Sequence, residues 1–343
     1  MRRCSRSKTL FATACSNFSN TMPCLDKPLD QLLTYTGTNP RPADFDAYWT
    51  EALEALEAVD PAPLLERNSS IATRSAEAFD LTFTGIGGAR IYAKYLRPRA
   101  STRPHPAVLE FHGYTGNSGD WQDKLRFIAE GTAIAAMDCR GQGGKSEDTG
   151  AVPGTTHHGH IIRGLSGKPQ DLLFRSIFLD TVQLARVVDS FDEVDSTRMA
   201  SNGGSQGGAL SIACAALSPH ISRCVSVFPF LSDYKRVWEM DLLKDAYGEL
   251  RTYLRHFDPL AIERERIFEK LGYIDVHHLA PRIRAAVVMA LTLQDNICPP
   301  STQFAVFNAL TSPKTPVIYP DFGHENLPGF ADRVFGFLTF QDA

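Results

Sequence analysis

The chain has 343 residues, of which 43% are hydrophobic and 22% charged, a balance that excludes global disorder and a fibrous architecture. Its 35 basic and 39 acidic residues give a net charge of −4, without the basic footprint of a nucleic-acid partner. No apolar run approaches the ~20 residues that span a bilayer, so no membrane partner is expected.

Residues 1–21 hold Arg2, Arg3, Arg6 and Lys8, no acidic residue and many Ser and Thr. Their apolar stretch, 10–15, is shorter than a secretory core and is interrupted by Thr13. The segment reads as an extension outside the working chain, either a disordered tail or an upstream start before Met22. An organelle presequence is the alternative. The remainder, 22–343, reads as one domain. Pro40, Pro42 and Asp44 precede Phe45, Tyr48, Trp49, Leu53 and Leu56 at near-helical spacing. They predict a lead-in helix over about 43–58, ended by Asp60-Pro61. Strands are expected at 79–83 and 89–96 around the Gly87-Gly88 turn.

From there short continuous apolar runs alternate with helical patterns, at 107–111, 133–137, 199–201, 224–228, 285–291 and 315–318. Such runs indicate buried, mostly parallel strands in a doubly wound α/β sheet with helices on both faces. Residues 233–283 lack a strand run and carry helical charge patterns. They read as a helical insertion over the C-terminal edge of the sheet, where sites of α/β proteins lie.

Gly203-Gly204-Ser205-Gln206-Gly207-Gly208 matches G-x-S-x-G between a strand and a small-residue helix. A serine on so tight a turn exposes its hydroxyl, and the N–H groups that follow sit at a helix N-terminus where an oxyanion can bind. The hydroxyl needs a base to take its proton. His324, on a Gly-containing loop after the last strand, occupies that place in the Ser…Asp…His order of the α/β-hydrolase fold. Asp295, after strand 285–291, is the acid that would orient it, with Asp321 as rival. The oxyanion donors are expected at the N–H of Gln206 and, from the loop after strand 107–111, of Tyr114.

Other features read as structural. His112 is taken as a loop residue, and His157-His158-Gly159-His160 has no neighbouring metal ligands. Cys298 has no base beside it in the pattern. The residues 141–146 lack the first Gly of a phosphate loop. Seven cysteines at 4, 15, 24, 139, 214, 224 and 298 show neither CxxC nor zinc spacing. No metal or other cofactor is expected, and a reducing compartment is.

Three blocks in order, Arg140-Gly141-Gln142, Gly204-Ser205-Gln206-Gly207-Gly208 and His324-Glu325, resemble the signature of the acetyl xylan esterase/cephalosporin C deacetylase family, carbohydrate esterase family seven. Stretches such as Gly159-His160-Ile161-Ile162-Arg163-Gly164 and Pro299-Pro300-Ser301-Thr302 are similar to family segments as well. The resemblance implies an α/β-hydrolase fold with Ser205, Asp295 and His324 on the triad positions. It puts Tyr114 and Gln206 at the oxyanion hole. It further implies deacetylation of acetylated xylo-oligosaccharides and cephalosporin C, no metal, a cytoplasmic location and a homo-hexamer. Other α/β-hydrolase chemistry (lactonase, peptidase) and a non-catalytic interaction module are the competing readings.

Overall fold

A computed structural model describes residues 25–99, 104–149 and 156–341. The extension read into residues 1–21 lies outside them. Nine strands form one sheet in the order β1-β2-β3-β5-β4-β6-β7-β8-β9. They are β1 Leu64–Arg67, β2 Ala76–Thr84, β3 Arg90–Pro98, β4 His105–Phe111, β5 Ala133–Met137, β6 Val194–Gly204, β7 Ile221–Val227, β8 Ala286–Thr292 and β9 Lys314–Tyr319. The first three run antiparallel to their neighbours, and β5-β4-β6-β7-β8-β9 are parallel throughout. The longer helices are α1 Phe45–Glu57, α2 Leu125–Ala129, α3 Leu173–Asp189, α4 Gln206–Leu217, α5 Tyr234–Glu239, α6 Gly248–Phe257, α7 Arg264–Leu271, α8 Pro300–Ala309 and α9 Phe330–Leu338.

Alternation along the parallel strands sorts their side chains into two layers, because successive residues of a strand face opposite sides. Leu109 and Phe111 of β4, Met137 of β5, Cys224 of β7 and Met289 of β8 join the larger core, with Trp49 of α1, Phe178 of α3, Leu210 of α4 and Phe304 of α8. Val108, Ile134, Ala200 and Val225 face the other way, onto Phe127 of α2 and Phe330, Val334 and Leu338 of α9. Both faces are therefore covered, which is why these strands read as continuous apolar runs. The helix expected at 43–58 is α1. The strandless stretch expected at 233–283 contains α5, α6, α7 and the turn Val276–Leu279, packed onto the larger core through Tyr234, Leu250, Phe268 and Leu279.

Two expectations are corrected. The sequence pattern predicts no strand between the lead-in helix and residue 79, yet β1 pairs with β2 through Leu64↔Thr82 and Arg67↔Phe79. Only backbone pairing makes it a strand, since its side chains are largely exposed. The strand expected at 199–201 is the inner part of an eleven-residue β6, whose polar start and Asn202-Gly203-Gly204 end carry no apolar signal. The strand order reverses between β4 and β6. The loops leaving these two strands therefore diverge and open a crevice at the C-terminal edge of the sheet.

Candidate active site

Ser205 stands between β6 and α4 with φ 57° and ψ −121°, a conformation that non-glycine residues rarely adopt. Packing holds it there. Its N–H donates to Val227 O at 2.9 Å, and its carbonyl accepts the Phe230 N–H at 3.1 Å. The turn is too crowded for side chains on either flank. A Cβ at Gly203 would lie 2.5 Å from the Gly207 carbonyl, and one at Gly207 only 2.0 Å from Phe111 O. The glycines of the motif are thus required by close approach of β4, while the strain is concentrated on the serine.

The loops after β8 and β9 bring the acid and the base together. Gln294 N–H donates to Phe322 O at 3.0 Å, and Gly323 packs on Gln294 and Asp295. His324 Nδ1 and Asp295 Oδ2 are 2.8 Å apart. The Asp295 side chain is fully buried. Its Oδ1 accepts the N–H groups of Ile297 and Cys298, each at 2.8 Å. Thr292 Oγ1 and Gln303 Nε2 approach Oδ2 at 3.4 Å, and Gln303 also donates to Cys298 O and Thr292 Oγ1. With its oxygens so engaged the carboxylate accepts from His324 Nδ1–H, leaving Nε2 as the basic nitrogen. Asp321, the rival acid, is exposed on the loop and makes no such contact.

The Cys298 thiol joins these pieces. It interacts with the Ser205 hydroxyl, and its sulfur lies within 4.8 Å of the Asp295 and His324 ligand atoms. Complete burial pushes this thiol well above the ordinary range, so it stays protonated and is no rival nucleophile. The Phe228 ring covers the His324 imidazole at 4.4 Å between centroids.

The loop after β4 carries Tyr114. Gln206, first residue of α4, has an N–H that the helix ladder leaves unpaired. Two carboxamides lock this side. Gln142 and Gln206 exchange amide hydrogen bonds at 2.8 and 3.0 Å, and Gln142 Oε1 also accepts the Thr115 N–H at 2.9 Å. His112 accepts the Cys139 N–H on Nε2 at 3.0 Å, so its Nδ1–H donates to Gly113 O at 2.7 Å. Both ring nitrogens are spent on the loop, as its structural reading expects.

The partners that hold these loops were not given by any local pattern in sequence. Glu249 of α6 accepts the Tyr114 hydroxyl at 2.8 Å together with the N–H groups of Gly159 and Ile161. Burial raises its carboxyl above the usual range against the pull of those donors. Arg140, fully buried, grips Asp180 through Nε at 2.7 Å and Nη2 at 2.6 Å and also donates to Ile86 O. That grip fixes the start of the 140–142 segment from which Gln142 reaches the loop bearing Tyr114. In the His157–His160 stretch, burial holds His160 down to about 4, and its Nε2 contacts Thr156 O.

The acetyl xylan esterase (AXE1) family model matches residues 22–340. Acetyl xylan esterase 1 from Thermoanaerobacterium sp. is 52% identical, with 93% of this chain and 100% of that one covered at a TM-score of 0.89. An acetyl xylan esterase from Paenibacillus sp. is 33% identical, over 91% of this chain and 99% of that one, at a TM-score of 0.86. Acetyl esterase Axe7A of Xylanibacter ruminicola is 26% identical over 287 residues, 81% of this chain but only 62% of its own length. The chain belongs to the acetyl xylan esterase family, carboxylic ester hydrolases of the α/β-hydrolase fold.

Proposed function

We propose that this chain is a serine esterase that removes acetyl groups from acetylated xylo-oligosaccharides, and from cephalosporin C, through an acetyl-enzyme. The observation that carries the reading is the Asp295–His324 hydrogen bond beside a strained Ser205 at the mouth of β6. Ser205 Oγ attacks the acetyl carbonyl while His324 Nε2 takes its proton, and Asp295 stabilises the imidazolium. Oxyanion charge falls to the N–H groups of Gln206 and Tyr114, each donor of this kind being worth about 2.7–4 kcal/mol. His324 returns the proton to the departing sugar oxygen. Water then repeats the cycle on the acetyl group and releases acetate.

The test is acetate release from acetylated xylo-oligosaccharides by the native chain and by Ser205→Ala. Loss of several orders of magnitude in kcat is expected. Residual turnover within tenfold of native, or failure of the native chain to release acetate, defeats the reading. The resemblance also supports a cytoplasmic homo-hexamer, which light scattering of the purified chain and cell fractionation check.

A further inference from the structure

On the α9 side of the sheet the C-terminal ends of β4 and β6 break the apolar pattern of that layer. Glu110 and Asn202, register partners two positions beyond Val108 and Ala200, point to the same face as these apolar residues. They border a cavity of about 850 Å³ beneath α9, whose lining also includes His324. That size lies within the ~300–1,000 Å³ of ligand clefts. Glu110 is held by buried Lys124 and by Arg126, the latter at 2.8 Å. Among the described residues the Asn202 carboxamide has no hydrogen-bond partner. Phe228 and Phe330 line the same space.

We propose that this cavity is the subsite for the alcohol half of the ester, a neutral polyhydroxylated chain of one or a few sugar rings. The inference rests on the acetyl-saccharide reading above. The leaving oxygen takes its proton from His324, so the group attached to it must extend on the His324 side of the reacting carbon. His324 lines the cavity, whereas Ser205, Gln206 and Tyr114 do not. The chemistry suits sugar. The Glu110 charge is matched by two cations, so the floor offers hydroxyl donors and acceptors without demanding a charged ligand. The rings meet C–H faces.

Asn202→Leu removes the amide at similar volume, and Asn202→Thr keeps a hydrogen-bonding group. Hydrolysis of acetylated xylotriose is compared with that of p-nitrophenyl acetate, whose leaving group carries no hydroxyls. Free xylobiose is tested as a competitive inhibitor of the latter. For Asn202→Leu the ratio of kcat/KM between the two substrates should fall about tenfold, mainly through KM, as for one lost hydrogen bond. Xylobiose inhibition should weaken by a similar factor, and Asn202→Thr should fall between. If Asn202→Leu does not fold, Asn202→Thr carries the comparison with a smaller expected shift. An unchanged ratio with unchanged xylobiose inhibition, in an enzyme that does deacetylate the saccharide, overturns the subsite alone. A native chain that hydrolyses p-nitrophenyl acetate but no acetylated saccharide overturns the subsite together with the substrate reading.

Discussion

Replacing Asp295 by Asn changes one atom and leaves two ways to place the new amide. In the first, its oxygen keeps the N–H groups of Ile297 and Cys298, and its NH2 faces His324 Nδ1. The imidazole must then accept there and carry its proton on Nε2, where it cannot act as base toward Ser205. In the second, the amide flips to restore the productive tautomer, and NH2 confronts the two buried backbone donors. Leaving two such donors unpaired costs about 2–6 kcal/mol, so the productive arrangement is suppressed by roughly 30-fold to over 10⁴-fold. Loss of the negative charge behind the imidazolium adds to this, and a kcat loss of about 10³–10⁴ is expected, with KM little changed. The assay is steady-state acetate release alongside thermal unfolding to show an intact fold. A loss below tenfold, or an equal loss in Asp321→Asn, refutes the assignment of Asp295.

Arg140→Met leaves Asp180 buried without its bidentate partner and should cost about 3–5 kcal/mol in urea unfolding, with a value under 1 kcal/mol against the argument. Gly207→Ala places a methyl against Phe111 O and should displace the turn bearing Ser205, which labelling by a serine-directed fluorophosphonate reads as at least a tenfold slower rate. Burial holds His160 and His278 each down to about 4. Their unfolded forms bind a proton near pH 6.5, so the stability they contribute is whole above that pH and is lost as pH falls toward 4. Burial pulls His277 down too, but the Asp275 carboxylate outweighs it and raises the ring above its ordinary value, so its contribution instead fades as pH rises. Discounted for screening, His160 and His278 together predict a loss on the order of 2–4 kcal/mol between pH 7.5 and 4.5. Urea midpoints across that range check it, and His160→Gln with His278→Gln should flatten the slope.

What could be read from sequence was what a short stretch of chain encodes. The elbow at Ser205 depends on glycines within two or three residues of it, and the parallel strands on runs of apolar residues, so both were legible. The pairing of His324 with Asp295 was expected because a Ser-His-Asp arrangement places them in a known chain order after known strands, and the two side chains lie 2.8 Å apart. The partners of Tyr114 were not legible. Glu249 lies 135 residues away in a stretch that read only as a charged helical insertion, and only the tertiary fold carries it over the β4 loop. Gln142, 64 residues from Gln206, stood inside a recognised motif with nothing to say which group its amide would meet. β1 escaped for a different reason. Of its four residues only Leu65 packs against the core, and their strand geometry comes from pairing with β2.

The two sides of His324 are built on opposite principles, and the proposed reaction explains why. Oxyanion donors stabilise charge only if they are in place before it forms, because moving them during the reaction would consume the gain. The loop bearing Tyr114 is correspondingly pinned from three directions, by Gln142 at Thr115, by Glu249 at the Tyr114 hydroxyl and by the His112 ring at Cys139. On the other side the leaving alcohol must arrive, be protonated and depart, and a site packed as tightly would have to open on every turnover. There the sheet instead turns from Val108 and Ala200 to Glu110 and Asn202, and a cavity with polar groups on its floor lies beside the imidazole. In the proposed mechanism a pinned acyl side and an open alcohol side meet at one histidine, whose ring is held by Asp295 and covered by Phe228 so that the same Nε2 would serve both.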